Sequence, residues 1–439
     1  MPLSAGNRND IGSLGGGKGP VFIRIGRFLR IFACGRTRHV LHVLLKFHID
    51  MKKNIFAVAA VAAMLCACGG GQQKSGDMPE QDGSRTGYAL AFFRNAAALS
   101  GADENMMVSP YSAGVALSML ADGAEDETRA ELLRALGGSV FSGDILHADS
   151  LVDVRSANSA WIRSGFDVKD SYEELLRESY GAMVAEKDFS SGSTVGEINR
   201  WCSDNTEGRI TEIIDRISPD MVMFLVNALY FKAPWEHEFR KESTSDKVFH
   251  GSAGDAEVPM MYIRNDFRYA SYGNNQIVEL PYEGGRYSML VALPAEDVAM
   301  QDALPMLTEE MYDKATGQMT RKKVALTLPK FRFETDLVLN DVLRRMGVER
   351  VFSGAAQLGG ISDASIAVDQ VRQKCFIEVN EQGSEAAAVT GIGVRLTSAR
   401  PADMPVVMTV DRPFYFAIVD NAADNILFIG RVMNLGGEE

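Results

Sequence analysis

Nucleophile–base catalysis needs a histidine beside an acid and a nucleophile, and the 439-residue chain has six histidines. Past residue 67 they are His147, His237 and His250, each among polar neighbours that suit a surface. No G-x-S-x-G elbow, H-E-x-x-H helix or C-x-x-C pair occurs. Residues 12–19, GSLGGGKG, approach a phosphate-binding loop, but Gly19 stands where Ser or Thr would hold the metal, and no strand precedes them. An enzyme has little to work with here, and no cofactor or metal is suggested. The unusual stretch is 378–393, EVNEQGSEAAAVTGIG. It begins as alternating strand, with Phe376, Glu378 and Asn380 on one face and Ile377 and Val379 on the other. It then passes into Gly383, Ser384, Glu385 and Ala386, Ala387 and Ala388. Alanine is a poor strand former, glycines flank the run, and no Asn-Gly pair closes a hairpin. The local pattern leaves open why small, uncommitted residues follow so strong a strand.

The elements around this stretch are legible from periodicity. Helical spacing occurs at 87–99, 111–121, 126–136, 171–180 and 336–346, and strands read at 222–231, 276–280, 287–293, 324–333, 374–380, 406–409, 414–419 and 426–432. Helices dominate the first half and strands the second, which is an α+β signature. Beyond residue 87 no second linker interrupts the pattern, so one domain over 87–439 is expected.

Charge separates the two ends. The formal net charge is −13, but residues 1–67 hold ten bases against Asp10 and Asp50. The remainder therefore has 35 bases and 56 acids, a net of −21. Such acidity disfavours nucleic acid as a partner and suits the solubility of an exported surface. From Met51 the chain reads MKKNIFAVAAVAAMLCACGGG: two lysines, then an apolar run too short to span a membrane but fitting a secretory signal. Leu65-Cys66-Ala67-Cys68 resembles the bacterial lipobox, which would make Cys68 the lipidated mature N-terminus. The competing reading is an ordinary cleavage site with incidental cysteines. On the first reading, 1–50 is an upstream artefact or leader, 51–67 the signal, and 68–86 a Gly/Gln/Ser-rich tether. The product is an exported lipoprotein, anchored at the cell envelope or surface or released outside the cell, touching the membrane only through its lipid. Cys202 and Cys375 are expected as two buried free thiols.

Several motifs, in order, resemble the serpin family. They are Asn105-Met-Met-Val-Ser109-Pro110-Tyr-Ser112, then Glu197-Ile-Asn199-Arg-Trp201 with Asn205 to Ile210, and Phe224 to Glu236 with Asn227 and Trp235. Val258 to Met261, Glu279 to Tyr282, Ser288-Met289, Leu328-Pro329-Lys330-Phe331, Asp411 to Phe414 and Ile426 to Val432 follow. The resemblance covers roughly 87–436. It implies a serpin fold, with a large central β-sheet, further sheets and an exposed reactive-centre loop at about 381–405. It also implies a monomer whose partners are serine or cysteine proteases. Family members often carry a histidine where this chain has Gln373, so the Asn227 amide needs another partner than that histidine. Asn105, Ser109, Ser112, Asn227, Trp235 and Gln373 are then the residues expected around the opening of the sheet.

The resemblance also accounts for the small-residue run. In serpins this segment is protease bait before cleavage and becomes a central strand afterwards. Glu381, Gly383, Ser384, Glu385 and Ala386–Ala388 form the hinge, Glu381 is expected to pair with Lys330, and alternate small side chains can enter beneath the sheet. Counting fourteen residues from Gly383 puts the scissile bond at Thr397–Ser398, with Arg395, Leu396 and Arg400 as alternatives. The implied activity is suicide inhibition. The alternative is a non-inhibitory surface lipoprotein that uses the scaffold for binding.

Overall fold

The computed structural model describes residues 83–141, 146, 152–384 and 404–436. In chain order its elements begin α1 (Arg85–Ala97), β1 (Met106–Val108), α2 (Pro110–Asp122), α3 (Asp126–Ala135), β2 (Asp153–Arg163), α4 (Asp170–Tyr180), β3 (Met183–Lys187), α5 (Gly192–Asn205) and β4 (Met223–Pro234). There follow β5 (Ser245–Gly251), β6 (Gly254–Tyr272), β7 (Asn275–Pro281), β8 (Tyr287–Leu293), α6 (Met300–Ala303), α7 (Glu309–Gly317), β9 (Thr320–Pro329), β10 (Phe331–Val338) and α8 (Asn340–Arg345). The chain then forms β11 (Arg372–Val379), β12 (Gly383–Ser384), β13 (Val406–Thr409), β14 (Phe414–Asp420) and β15 (Asn425–Val432).

Two sheets organise the described residues. One runs β1-β15-β14-β8-β7-β6-β9-β13, with β5 added to β6, and the other runs β10-β11-β12-β4-β2-β3. Helix α2 lies between them, in contact with both β4 and β15. Its start is set by sequence: Pro110 occupies the first turn and the Ser109 hydroxyl accepts from the Ser112 amide. With buried residues all round it, α2 is a core helix rather than an amphipathic surface one. The far face of the six-stranded sheet is covered by α5 and the chain after it. There Ile198, Cys202, Ile213 and Ile214 pack on Trp161, Phe224, Val226 and Ala228. The even residues of β4 thus face that layer, while Leu229, Phe231 and Ala233 face the main core.

Two expectations change. Residues 336–346, read as helix, are strand to Val338 and helix only over Asn340–Arg345. The helical spacing of Leu339, Val342, Leu343 and Met346 is real, but the upstream residues pair with β11 along their whole length. The single strand read at 324–333 is two strands in different sheets, divided at Lys330. The Lys330 amide bonds the Pro259 carbonyl at 3.0 Å, which fixes this side chain at the corner between the sheets. The 19-residue strand β6 went unread, because its inward face changes parity near Met260 and Met261, both buried.

Candidate functional site at the hinge

Strand β11 alternates half-buried and buried residues to Val379. The chain then reverses over Asn380–Gln382, where the Asn380 side chain accepts from the Gln382 amide at 3.0 Å and the Asn380 amide donates to the Gly383 carbonyl at 3.0 Å. It returns as β12 between two strands. Ser384 pairs with Val379 of β11 and with Ala233 of β4, and Gly383 pairs with Pro234. Among the described residues β11 and β4 are joined in the sheet only through these two residues.

Glycine is needed at 383 because of close approach. A Cβ there would stand 2.1 Å from the Ala233 carbonyl oxygen and 2.7 Å from the Pro234 Cα, both backbone atoms that cannot swing away. Ser384 is 2% exposed, and its hydroxyl lies 2.6 Å from the Tyr282 hydroxyl. Tyr282 in turn stacks on Trp235, with centroids 4.5 Å apart and planes 10° from parallel. Burial pushes the Tyr282 phenol up, so it remains a neutral hydrogen-bonding group. Trp235 holds the turn at two points: its amide donates to the Gln382 carbonyl at 2.8 Å and its indole Nε1 to the Asn380 carbonyl at 3.0 Å.

Glu381 is anchored beside it at 5% exposure. Lys330 Nζ lies 3.1 Å from Oε2, the Thr244 hydroxyl donates to Oε1 at 3.0 Å, and the Glu381 carbonyl accepts from the Phe239 amide at 2.9 Å. Burial by itself would raise this carboxyl. The Glu381 backbone amide, the Lys330 ammonium and the Thr244 hydroxyl outweigh it and hold the group below the usual carboxylate range.

The residues expected around the sheet opening fall into separate places. Gln373 faces Ser109 with both ends of its amide: Oε1 accepts from the Ser109 amide at 3.0 Å, and Nε2 donates to the Ser109 carbonyl at 2.9 Å. The Ser109 hydroxyl donates to the Leu427 carbonyl at 2.7 Å and accepts from the Ser112 amide at 3.1 Å. This cluster ties β11 to the start of α2 and to β15. Asn227 belongs to another, on β4: its amide donates to Ser156 Oγ at 3.0 Å and Asn158 Oδ1 at 2.5 Å. Its own Oδ1 is buried with no partner among the described residues. Asn105 stands apart from both, holding the Met433 and Asn434 amides and the Asn434 carbonyl at the end of β15.

Sequence reasoning missed Tyr282, Thr244, Ser156 and Asn158 as partners. Nothing local links Tyr282 and Thr244 to the hinge, or Ser156 and Asn158 to Asn227, since each pair meets only in the folded chain. Cys202 and Cys375 are free and buried, and burial pushes each thiol up to about 12. Among the described residues no cluster of His, Cys, Asp and Glu could hold a metal. Cys68, Glu385, Ala386–Ala388, Arg395, Leu396, Thr397, Ser398 and Arg400 lie outside the described residues.

A family model described as serpin (serine protease inhibitor) matches residues 84–435. The chain is 36% identical to Iripin-3 of Ixodes ricinus over 76% of this chain and 89% of that protein. It is 31% identical to neuroserpin of Homo sapiens over 76% of this chain and 87% of that one. Among solved structures, the thermophilic serpin Tengpin in its native state superposes with a TM-score of 0.73 at 29% identity, covering 80% of this chain and 93% of Tengpin. With its α+β sheets and helices in this arrangement, the chain belongs to the serpin family.

Proposed function

We propose that the chain inhibits proteases by a suicide mechanism. The protease nucleophile attacks the scissile carbonyl of the loop, the C-terminal side leaves as an amine, and the loop inserts as a central strand before water reaches the acyl bond. The observation that carries this reading is the pairing of Gly383 and Ser384 on both sides, between β11 and β4. Two residues of the loop already form the strand that insertion would extend. Beyond Ser384 come Glu385 and three alanines. Alanine loses almost no side-chain entropy on burial, so a small-residue run is suited to insertion. The chain acts through a change of its own fold and is not itself an enzyme, and its partner is a serine or cysteine protease.

Incubation with trypsin, elastase, subtilisin and papain tests this. A complex that survives SDS, and a released peptide beginning after Arg395, Leu396, Thr397 or Arg400, is expected with at least one of them. Cleavage by all four with no stable complex would leave the second reading, a binding scaffold. One feature favours that reading: an apolar cavity of about 280 Å³ lined by Leu90, Leu290, Met311, Tyr312, Tyr415 and Phe416. We further propose that Cys68 carries lipid and tethers the domain on the far side of the membrane from the cytoplasm. Cys68→Ala should then release soluble protein, and identical fractionation of variant and wild type would defeat the anchor.

A further inference from the structure

Strands β4 and β11 are regular well beyond the two residues that join them. β4 pairs β2 from Lys232 to Met223 without a slip, and β11 pairs β10 from Val379 to Arg372. A strand continuing from Ser384 therefore has its register fixed on both sides, one residue forward for each residue back along its neighbours. Ser384 stands opposite Ala233 and Val379. Position 386 then falls opposite Phe231 and Ile377, 388 opposite Leu229 and Cys375, and 390 opposite Asn227 and Gln373. Position 392 falls opposite Leu225, and 394 opposite Met223.

Ala233 and Val379 face the main core, as does the Ser384 hydroxyl, so by alternation the even residues of the loop face it too. They read Ala386, Ala388, Thr390, Ile392 and Val394, while Glu385 and Arg395 fall on the other face. The alanines meet the bulky Phe231 and Leu229. Ile392 and Val394 arrive at an apolar cavity of about 60 Å³ lined by Ala116, Leu117, Leu120, Met223, Leu225 and Val371. Thr390 is the one polar side chain of the series after Ser384, and it falls between the two carboxamides, Asn227 and Gln373.

That position has one free acceptor. Gln373 engages Ser109 with both ends of its amide. Asn227 directs Nδ2 to Ser156 and Asn158, both on β2. Asn158 donates its own Nδ2 to the Tyr180 carbonyl at 2.7 Å, which turns its Oδ1 toward Asn227 and fixes the orientation of the pair. The Asn227 Oδ1 is left buried with no partner among the described residues. The two ends of a carboxamide diverge, so Oδ1 lies on the side of β4 away from β2, where an inserted strand would run. Residues directly opposite on one face of an antiparallel pair have Cβ atoms about 4.5–5.5 Å apart, within reach of a hydroxyl and a carboxamide.

We infer that Thr390 is a positioning residue for insertion: its hydroxyl donates to Asn227 Oδ1 and satisfies, in the inserted state, an acceptor that the intact fold leaves without a donor. The bond fixes depth as well as adding stability. A slip of one residue turns every inward side chain outward, and a slip of two brings Ala388 or Ile392 beside Asn227 and strands Oδ1 again. The inference rests on the proposed function in one respect, that the cut loop inserts.

Wild type, Thr390→Ser and Thr390→Val are each cut with whichever of the four proteases cleaves beyond Val394, at a bond confirmed by mass. Melting temperatures are measured for the intact and the cleaved forms. The three intact proteins should melt together. On cleavage wild type and Thr390→Ser should gain equally, whereas Thr390→Val should gain a few degrees less and give a several-fold smaller fraction of SDS-stable complex. Moving the hydroxyl by one residue, in Val389→Thr with Thr390→Val, should not restore the gain, because 389 faces the other way. In an Asn227→Leu background the valine should carry no penalty. Equal gains for wild type and Thr390→Val would overturn the inference and leave insertion standing. A full penalty in the Asn227→Leu background would overturn it as well, since the hydroxyl would then act on another group. Should Asn227→Leu fail to fold, the contrast of serine, valine and the shifted hydroxyl decides. A cleaved wild type with no gain would overturn insertion itself, and this inference with it.

Discussion

The hydroxyls of Tyr282 and Ser384, 102 residues apart in sequence, lie 2.6 Å from each other where water does not reach. One belongs to the hinge and the other to the turn after β7, so Ser384 is bonded to an element distant from it in sequence. Stacking of Tyr282 on Trp235, which holds the hinge turn by its amide and its indole, closes the arrangement into one unit.

Ser384→Arg puts a cation into that site with no acid to receive it. Burying an unpaired charge is costly enough that the side chain will instead be expelled with its backbone. The variant should be cleaved at the same bond as wild type and yield only cleaved product on SDS gels. A stable complex at wild-type yield would show that Ser384 is not on the path of insertion. Tyr282→Phe is milder: it leaves the Ser384 hydroxyl buried without its partner, at a cost of about 1–3 kcal/mol, and should lower the melting temperature of the intact protein.

Gly383→Ala tests close approach rather than polarity. The added methyl would overlap the Ala233 carbonyl at 2.1 Å, so β12 must leave the sheet or β4 must bend. Faster proteolysis between Val379 and Ser384, together with a lower melting temperature, is the expected outcome. Wild-type behaviour in both measurements would mean that the backbone at 383 has more room than the geometry gives it.

Glu381 supplies a pH dependence. Its carboxyl is held below the ordinary value of 4.5 by its amide, Lys330 and Thr244 acting against burial. A group with a depressed folded pKa contributes stability that is complete above its unfolded value and is lost as pH falls through the folded one. Lys330 is 38% exposed on its side chain, so solvent screening keeps the ion pair near or below about 1 kcal/mol. The melting-temperature gap between wild type and Glu381→Gln should be constant above about pH 5 and should narrow below about pH 4. Glu381→Lys goes further by placing two cations together, and should promote polymerisation on mild heating as the freed hinge inserts into a second molecule. A variant that stays monomeric would speak against the anchor.

How much of this was legible beforehand follows the range of each interaction. Strand β11 and the helix that follows Ser109-Pro110 are local patterns and are legible as such, whereas the small-residue run beyond Ser384 lies outside the described residues. The Lys330–Glu381 proximity, expected from the resemblance, joins residues 51 apart that meet because the chain changes sheets at Lys330. Grouping Ser109, Ser112 and Asn227 as one set was an inference about distant residues, and the structure divides it. Gln373 saturates Ser109 with both ends of its amide, while Asn227 turns to Ser156 and Asn158 across the β2–β4 pair. An imidazole and a carboxamide at 373 differ in how many bonds they make and in which direction, a distinction periodicity does not carry. Asn105 reads as part of the same motif as Ser109, yet the four-residue separation takes it across β1 to the far end of β15.

Gln373→Leu should therefore destabilise the intact protein. It strands the Ser109 amide in a buried site, at a cost of about 1–3 kcal/mol, while the Ser109 carbonyl keeps the Ala113 amide. Chemical denaturation with an unchanged m-value and a lower midpoint is the expected signature. Gln373→His keeps part of the polarity and should fall between Leu and wild type, whereas equal midpoints for all three would remove Gln373 from the set that holds β11.

Cutting the loop is the test that separates a trap from a scaffold. In an ordinary globular domain a nick in a surface loop adds chain freedom, and stability stays level or falls. Here the segment after Ser384 has a strand position to enter, because Ser384 already pairs with Val379 on one side and Ala233 on the other. Successive inserted residues form ladder bonds to the two neighbours in turn, at a net of about 0.5–1.5 kcal/mol per bond. Even at the lower end, a dozen such bonds amount to several kcal/mol, comparable with the whole stability of a typical domain at about 5–15 kcal/mol. Cleaved wild type should consequently melt far above the intact protein, and Ser384→Arg, cleaved at the same bond, should show little of that gain. A cleaved wild type that melts no higher than the intact chain would mean that β12 stops at two residues, and the hinge would then be a fixed joint in a binding scaffold.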